Sequence, residues 1–361
     1  MTQKLTTDAI ALLKNLIETS SFSSEEVQTA LLIEQWFQNY TIDYTRTINN
    51  VWATNKHFDV SKPTLLLNSH HDTVKPNTAY TKDPFKAIVE DGKLYGLGSN
   101  DAGGCLVSLI ATFTYFYEHQ DLLYNLVMVA SAEEESSGPN GLNSMLKVIP
   151  KIDVAIVGEP TLMQLAIAEK GLVVFDAKVK GTPSHAAHPN EDNAIYNSIK
   201  VLQWFKDYKF EKVSAALGEV KVTVSQINAG KQHNAIPAEV DLVVDVRVND
   251  CYTNAEIVEI LQKESPCSSI IPRSIRLNSS SIPKDHELVK AGIALGRETY
   301  GSPTLSDQAV LSCPSLKLGP GDSTRSHSAD EFIYINEIEE GIGLYIQLLK
   351  KILKIELSIK I

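Results

Sequence analysis

Three short apolar runs set the tightest limit on what this chain can fold into: TLLLNS at 64–69, NLVMVASA at 125–132 and VAIVGEP at 154–160. Each has the Val, Leu and Ile content of a strand buried on both faces. Helical patterns lie between them, including one from Ala102 to His119 entered through a glycine-rich turn. Strands alternating with helices predict an α/β domain with a doubly wound, mostly parallel sheet covered on both sides. Near Phe175 the texture changes. VVFDAKVKG, EVKVTVSQINAG and EVDLVVDVRV alternate apolar and polar residues, and helical stretches at 194–206 and 253–263 separate some of them. Period two predicts an antiparallel sheet with one wet face. A long helical pattern returns over SSSIPKDHELVKAGIALG, 279–296. The expected layout is an α/β domain built from 1–174 and 283–361, interrupted by a smaller α+β insertion at 175–282. A chain of 361 residues has room for both.

A net charge of -11 argues against nucleic acid or an anionic membrane as partner, because both attract basic surface. The four cysteines, Cys105, Cys251, Cys267 and Cys313, form no CxxC pair. That spacing offers no disulfide framework and no thiolate zinc site, and fits reduced thiols in a cytoplasmic protein. The amino-terminal MTQKLTTDAIALLKNLIETS has helical spacing without the apolar centre of a signal peptide. No run approaches the ~20 apolar residues of a membrane span. The carboxyl-terminal LYIQLLKKILKIELSIKI, 344–361, reads as an amphipathic helix docked on the body.

In a doubly wound sheet, ligands sit beyond the carboxyl ends of the strands. Each buried run here ends in groups that bind metals. NSHHD follows the first, SAEEESSG the second and VGEP the third, while GLGSNDAGG brings Asp101 to a turn and GPGDSTRSHSADE supplies His327. Residues i and i+2 of an extended strand project to one side, so His70 and Asp72 point together and His71 away. His70 suits a metal, and Asp72 suits the hydrogen bond that fixes the imidazole's tautomer. Three adjacent glutamates repel one another unless something positive lies nearby. The work divides if one carboxylate binds a cation and its neighbour stays free as a general base. Zinc held by imidazole and carboxylate leaves an open position for water. GLGSNDAGG matches neither GxGxxG nor a phosphate loop. Ser69, His70 and Asp72 are too close in sequence for a catalytic triad, and no GxSxG is present.

In order along the chain, SHHDTV, GLGSNDAGG, SAEEESSG, VGEPT, GTPSHAAHP, NAIPAEVDLVVDVRV and GPGDSTRSHSADE resemble the motifs of one family. It is the co-catalytic metallopeptidase and deacylase family that contains acetylornithine deacetylase, succinyl-diaminopimelate desuccinylase, aminoacylase-1 and the glutamate carboxypeptidases. The resemblance spans essentially the whole chain, and VGEPT and the GPGD…H ending look most like the acetylornithine deacetylases.

The resemblance implies two Zn²⁺ ions per chain, with Co²⁺ or Mn²⁺ as substitutes. His70 and Glu159 would bind one, Glu135 and His327 the other, and Asp101 would bridge them. Asp72 would orient His70. Aligning Glu133 with the residue before the family's acidic pair leaves Glu134 as general base toward a metal-bridging water and Glu135 as ligand. His185 would stabilise the oxyanion across a homodimer interface formed by the inserted dimerisation (lid) domain, and His188 would be structural. Asn234 and Arg247 would meet the substrate's carbonyl or carboxylate, and Gly319 and Gly321 would shape the turn at its pocket. The implied activity is deacylation of a small N-acyl amino acid, N2-acetylornithine or a related ornithine or citrulline derivative, in arginine biosynthesis. N-succinyl-diaminopimelate desuccinylation and carboxy- or dipeptidase activity are the alternatives within the class. A catalytically silent, metal-stabilised binding protein is the alternative outside it. Three positions depart from the common pattern: His71, Gly103 in place of lysine, and Glu133 in place of aspartate. None is a ligand candidate.

Overall fold

The computed structural model describes residues 2–355, which divide into two compact units. The first holds the chain up to Ile167, Ser281–Tyr300 and the chain from Ser306. The second holds Ala168–Ser280 and Gly301–Leu305. The division falls at Ala168, ahead of the textural change at Phe175, and the chain makes a second brief return at Gly301–Leu305.

In the first unit, strands β1 (Thr45–Thr47), β2 (Asn50–Thr54), β3 (Thr64–His70), β4 (Asn125–Ser131), β5 (Val154–Val157), β6 (Leu165–Glu169) and β7 (Ser315–Lys317) share one sheet. Their order is β1-β2-β4-β3-β5-β7-β6. β3 runs parallel to β4 and β5, and β7 parallel to β5; β2 and β6 join antiparallel. The three apolar runs are thus neighbours in the centre of the sheet. Leu65 and Leu67 of β3 face one core, while Leu66 faces another with Val127, Val129 and Met145. Each such leucine stabilises the fold by about 1.5–3 kcal/mol, and burial on both sides explains why the run does not alternate.

Helix α1 (Thr2–Ile17) and helix α2 (Val27–Asn39) cover the larger core with α3 (Gly104–Phe116) and α4 (Ile335–Ile352). α3 is buried almost all round and packs against α1, α4 and β3, as a helix apolar on every side must. α4 buries Ile338, Ile342, Tyr345 and Leu349. It includes the first half of the amphipathic 344–361 stretch; residues 356–361 lie outside those described. The pattern over 279–296 yields less helix than expected. Only Glu287–Ala294 is helical, because Pro283 cannot continue a helix and the His286 side chain caps the start by accepting from the Leu288 N–H. No helix among the described residues is long and apolar enough to cross a membrane.

The second unit is a four-stranded antiparallel sheet in the order Lys221–Ala229, Glu239–Val248, Gly171–Lys180, Ser269–Pro272. Its strands alternate buried and exposed positions. The buried face, with Phe175, Val244 and Val246, packs under helices Ala194–Asp207 and Asn254–Glu264. Asn193 caps the first helix, and a Thr253–Glu256 capping box opens the second.

Candidate metal centre

The carboxyl ends of β3, β4 and β5 deliver His70, the Glu133–Glu135 triplet and Glu159 to one place. His70 is the last residue of β3 and is 1% exposed. Its Nε2 lies 3.4 Å from Asp101 Oδ1, 3.7 Å from Glu159 Oε1 and 3.9 Å from Glu134 Oε2. Its Nδ1 faces Asp72, 2.9 Å from the backbone carbonyl and 3.5 Å from carboxylate Oδ1. Asp72 therefore holds the ring mainly through its main chain. A proton on Nδ1 leaves the Nε2 lone pair for an ion.

The Asp72 carboxylate has a second task. It accepts the backbone N–H of Glu134 at 3.0 Å, that of Glu135 at 3.1 Å and the Ser23 hydroxyl at 2.7 Å. These bonds, with His70, hold its carboxyl below the usual range although burial pushes it upward. His71 points the other way. It is buried, with Nδ1 2.9 Å from the Thr29 hydroxyl and Nε2 3.0 Å from the Asn49 carbonyl, and burial pushes its pKa down to about 4. It is a structural histidine.

Asp101 stands on the turn before α3, and its bond to Ala102 is cis. One carboxylate oxygen faces His70; the other lies 3.6 Å from His327 Nε2. His327 Nε2 is also 3.0 Å from Glu135 Oε2. Two donor groups result, His70–Asp101–Glu159 and Asp101–Glu135–His327, each with its ligand atoms within 4.8 Å of one another. They share Asp101. Imidazole and carboxylate donors so arranged fit a pair of borderline divalent ions such as Zn²⁺. The acids also need such a charge. Burial, then Asp101, pushes Glu159 up to about 8; burial, then Glu159 and Asp307, pushes Glu134 well above its usual range. The hydrogen bond to Glu135 raises His327 to about 9.

Geometry separates the three adjacent glutamates. Glu133 is turned into the protein, accepting from the Ser24 hydroxyl at 2.9 Å and from the Asn140 side chain and backbone at 3.0 Å each. Glu134 stands beside His70, and Glu135 beside His327. The turn after β7 packs against the same centre. A Cβ on Gly319 would lie 2.6 Å from the Glu159 carbonyl oxygen and from Cys105 Sγ. Gly321 has φ +86°, and a Cβ there would strike Asn100 Oδ1.

Sequence reasoning missed two buried acids here. Glu331 accepts the N–H groups of Asn100 and Asp101, and Asp307 accepts the Ser131 hydroxyl at 2.6 Å. Glu331 lies inside a quoted motif, but nothing in its spacing marks it. Asp307 follows no apolar run at all.

The remaining candidates lie in the second unit. His185 pairs with Ala235 across a short ladder, and the Ala186 N–H donates to the Asn234 carbonyl. His185 is exposed, and its Nδ1 accepts the Ala187 N–H at 3.1 Å. His188 packs edge-on, with 5.7 Å between ring centroids. Arg247 differs from the free carboxylate fork expected. Its Nε and Nη2 already donate to Asp245 at 2.9 and 3.1 Å, because i and i+2 share one face of the strand. A substrate carboxylate would meet its Nη1 side or displace Asp245.

A doubly wound sheet that ends in two histidine–carboxylate triads around one shared aspartate defines a metal-dependent hydrolase. Residues 66–351 match the model of peptidase family M20/M25/M40. The chain belongs to this family of metal-dependent hydrolases acting on amide bonds. It is 28% identical to acetylornithine deacetylase of Proteus mirabilis, covering 94% of this chain and 96% of that one. It is 25% identical to succinyl-diaminopimelate desuccinylase of Rickettsia bellii, over 95% and 96% respectively. Among solved structures, a tripeptidase of Staphylococcus aureus superposes with a TM-score of 0.76 at 18% identity, over 97% of this chain and 99% of that one. A dinuclear metal binding peptidase of the M20 family from Bacillus subtilis gives 0.75 at 15% identity, over 98% and 99%.

Proposed function

We propose that the chain is a dizinc amidohydrolase that removes the acetyl group from N2-acetylornithine, acting as a cytoplasmic homodimer in arginine biosynthesis. One observation carries the catalytic part. Glu134 stands half-buried beside His70, 3.9 Å from its Nε2, yet belongs to neither donor triad. His70, Asp101 and Glu159 would hold one ion, and Asp101, Glu135 and His327 the other. When bound, the ions supply Lewis-acid polarisation of the scissile carbonyl and make water more acidic. Glu134 takes the proton of the attacking water on a carboxylate oxygen and returns it to the departing amine. His185 suits an oxyanion partner, because its engaged Nδ1 leaves Nε2–H as a donor. Asn234 and the open side of Arg247 would receive the polar ends of the substrate, and Gly319 and Gly321 would shape the turn at its pocket.

The substrate reading is supported by the acetylornithine deacetylases among the relatives, and desuccinylases at nearly the same identity support N-succinyl-diaminopimelate as a second reading. The deciding measurement is kcat/KM of the zinc-loaded protein on N-acetylornithine, N-acetylcitrulline, N-succinylornithine, N-succinyl-diaminopimelate and a dipeptide. N-acetylornithine is expected to lead by more than about a hundredfold, because a pocket built for one polar end leaves buried groups unpaired with another. Preference for the succinyl compounds would replace the proposed substrate.

The dimer rests on an apolar surface. Helix Ala194–Asp207 presents Tyr196 and Ile199, 68% and 61% exposed, and the edge strand Lys221–Ala229 is exposed from Ser225 onward. Such a face and a free strand edge invite a second copy. Ile199→Asp is expected to convert the dimer to a monomer in light scattering with helix content retained. An undisturbed dimer would place the interface elsewhere.

A further inference from the structure

Glu331 is 1% exposed and has no part in either donor triad. Its Oε1 accepts two consecutive backbone N–H groups, from Asn100 at 2.8 Å and Asp101 at 2.9 Å. Its own carbonyl accepts the Gly96 N–H at 3.0 Å. One residue therefore ties both the start and the apex of the turn that carries Asp101. The Asn100 side chain secures the other flank, donating to the Asp322 carbonyl and accepting the Asp322 N–H, both at 3.0 Å. Glu331 also lies four residues beyond His327 on the same segment. A shift of Glu331 would move the turn of one ligand and the tether of another together.

We infer that Glu331 is a positioning residue: its carboxylate fixes the main chain at Asp101, and so sets the place where the two triads share an oxygen pair. This rests on the proposed ligand set. Two buried N–H groups left without this acceptor would each cost free energy, so the turn depends on an oxygen held at this reach. Asp101 is the residue that both triads share, and the groups that orient a ligand commonly change metal affinity by about 10–100-fold when removed.

The test compares Glu331→Ala, Glu331→Asp and Glu331→Gln with wild type, each stripped of metal and titrated with Co²⁺. Binding isotherms and the visible Co²⁺ absorption are followed, with thermal unfolding of the metal-free proteins as a check on folding. E331A, and E331D whose shorter arm withdraws from the two N–H groups, are expected to bind at least one ion about 10–100-fold more weakly, with a changed Co²⁺ spectrum. E331Q keeps an acceptor oxygen at the same reach and is expected to restore both affinity and spectrum to within about tenfold of wild type. If E331A does not fold, the contrast between E331D and E331Q decides. Wild-type affinity and spectrum in folded E331D would overturn the inference while leaving the metal centre intact. A wild-type protein that binds fewer than two Co²⁺ ions would overturn the ligand assignment beneath it as well.

Discussion

Glu134→Gln is expected to lower kcat by about 10²–10⁴-fold, the range a well-placed general base contributes. The amide keeps the size of the side chain and cannot take a proton from water. Ion content is expected to stay at the wild-type level, because Glu134 belongs to neither triad. Glu135→Gln is the paired control. It alters the carboxylate facing His327 and is expected to lose ions along with rate. Elemental analysis separates the two outcomes. A Glu134→Gln protein with both ions and more than a tenth of wild-type kcat would show that the base lies elsewhere. A wild-type protein without turnover on any amide would leave the silent binding protein as the better account.

The second large effect is at Asp101. Asp101→Asn replaces two acceptor oxygens by one oxygen and an NH₂ group, so only one of the two triads keeps an oxygen ligand at this position. Ion content is expected to fall from two per chain to one or fewer. Activity should drop by more than about a hundredfold, since Lewis-acid stabilisation is worth several kcal/mol. Chelation of wild type should reproduce the loss, and added Zn²⁺ should reverse it. Protons compete for the emptied site. With His327 raised to about 9 by Glu135, and Glu159 to about 8 by burial and Asp101, both carry protons at pH 7 that an ion must displace. The folded, ion-free site therefore prefers its protonated state until pH passes these values. Apparent affinity is expected to climb as pH rises from 7 to 9, with proton release measurable by calorimetry. Affinity flat across that interval would show that these two side chains are not ligands.

Much of this was legible because chemistry and burial coincide at strand ends. His70, Glu135 and Glu159 each follow an apolar run, and a run buried on both faces can belong only to the middle of a covered sheet. Asp72 was legible for the side it points to, but not for its hold on the Glu134 and Glu135 backbones, which depends on β3 and β4 lying side by side. The register of the three glutamates could not be read, since only Ser24 and Asn140 reveal which one turns inward. Glu331 and Asp307 gave no signal, because a buried acid with partners far away in sequence looks like any surface acid. Asp245 beside Arg247 was readable in principle from period two. The overlong helix over 279–296 came from weighting apolar spacing above Pro283.

Four of the proposed ligands are encoded between His70 and Glu159, but His327 and the tether Glu331 come only after the whole of the second unit has been threaded. During synthesis the early ligands emerge as an incomplete set that cannot close both triads. Loading of both ions thus waits for the late residues of the chain. Because ions would bind the finished site and not the unfolded chain, each would add RT ln(1 + [ion]/Kd) to stability, about 2.7 kcal/mol at a hundred times Kd. The melting temperature of such a protein becomes a gauge of the free metal around it, and a cell short of metal would hold a less durable enzyme as well as a less active one.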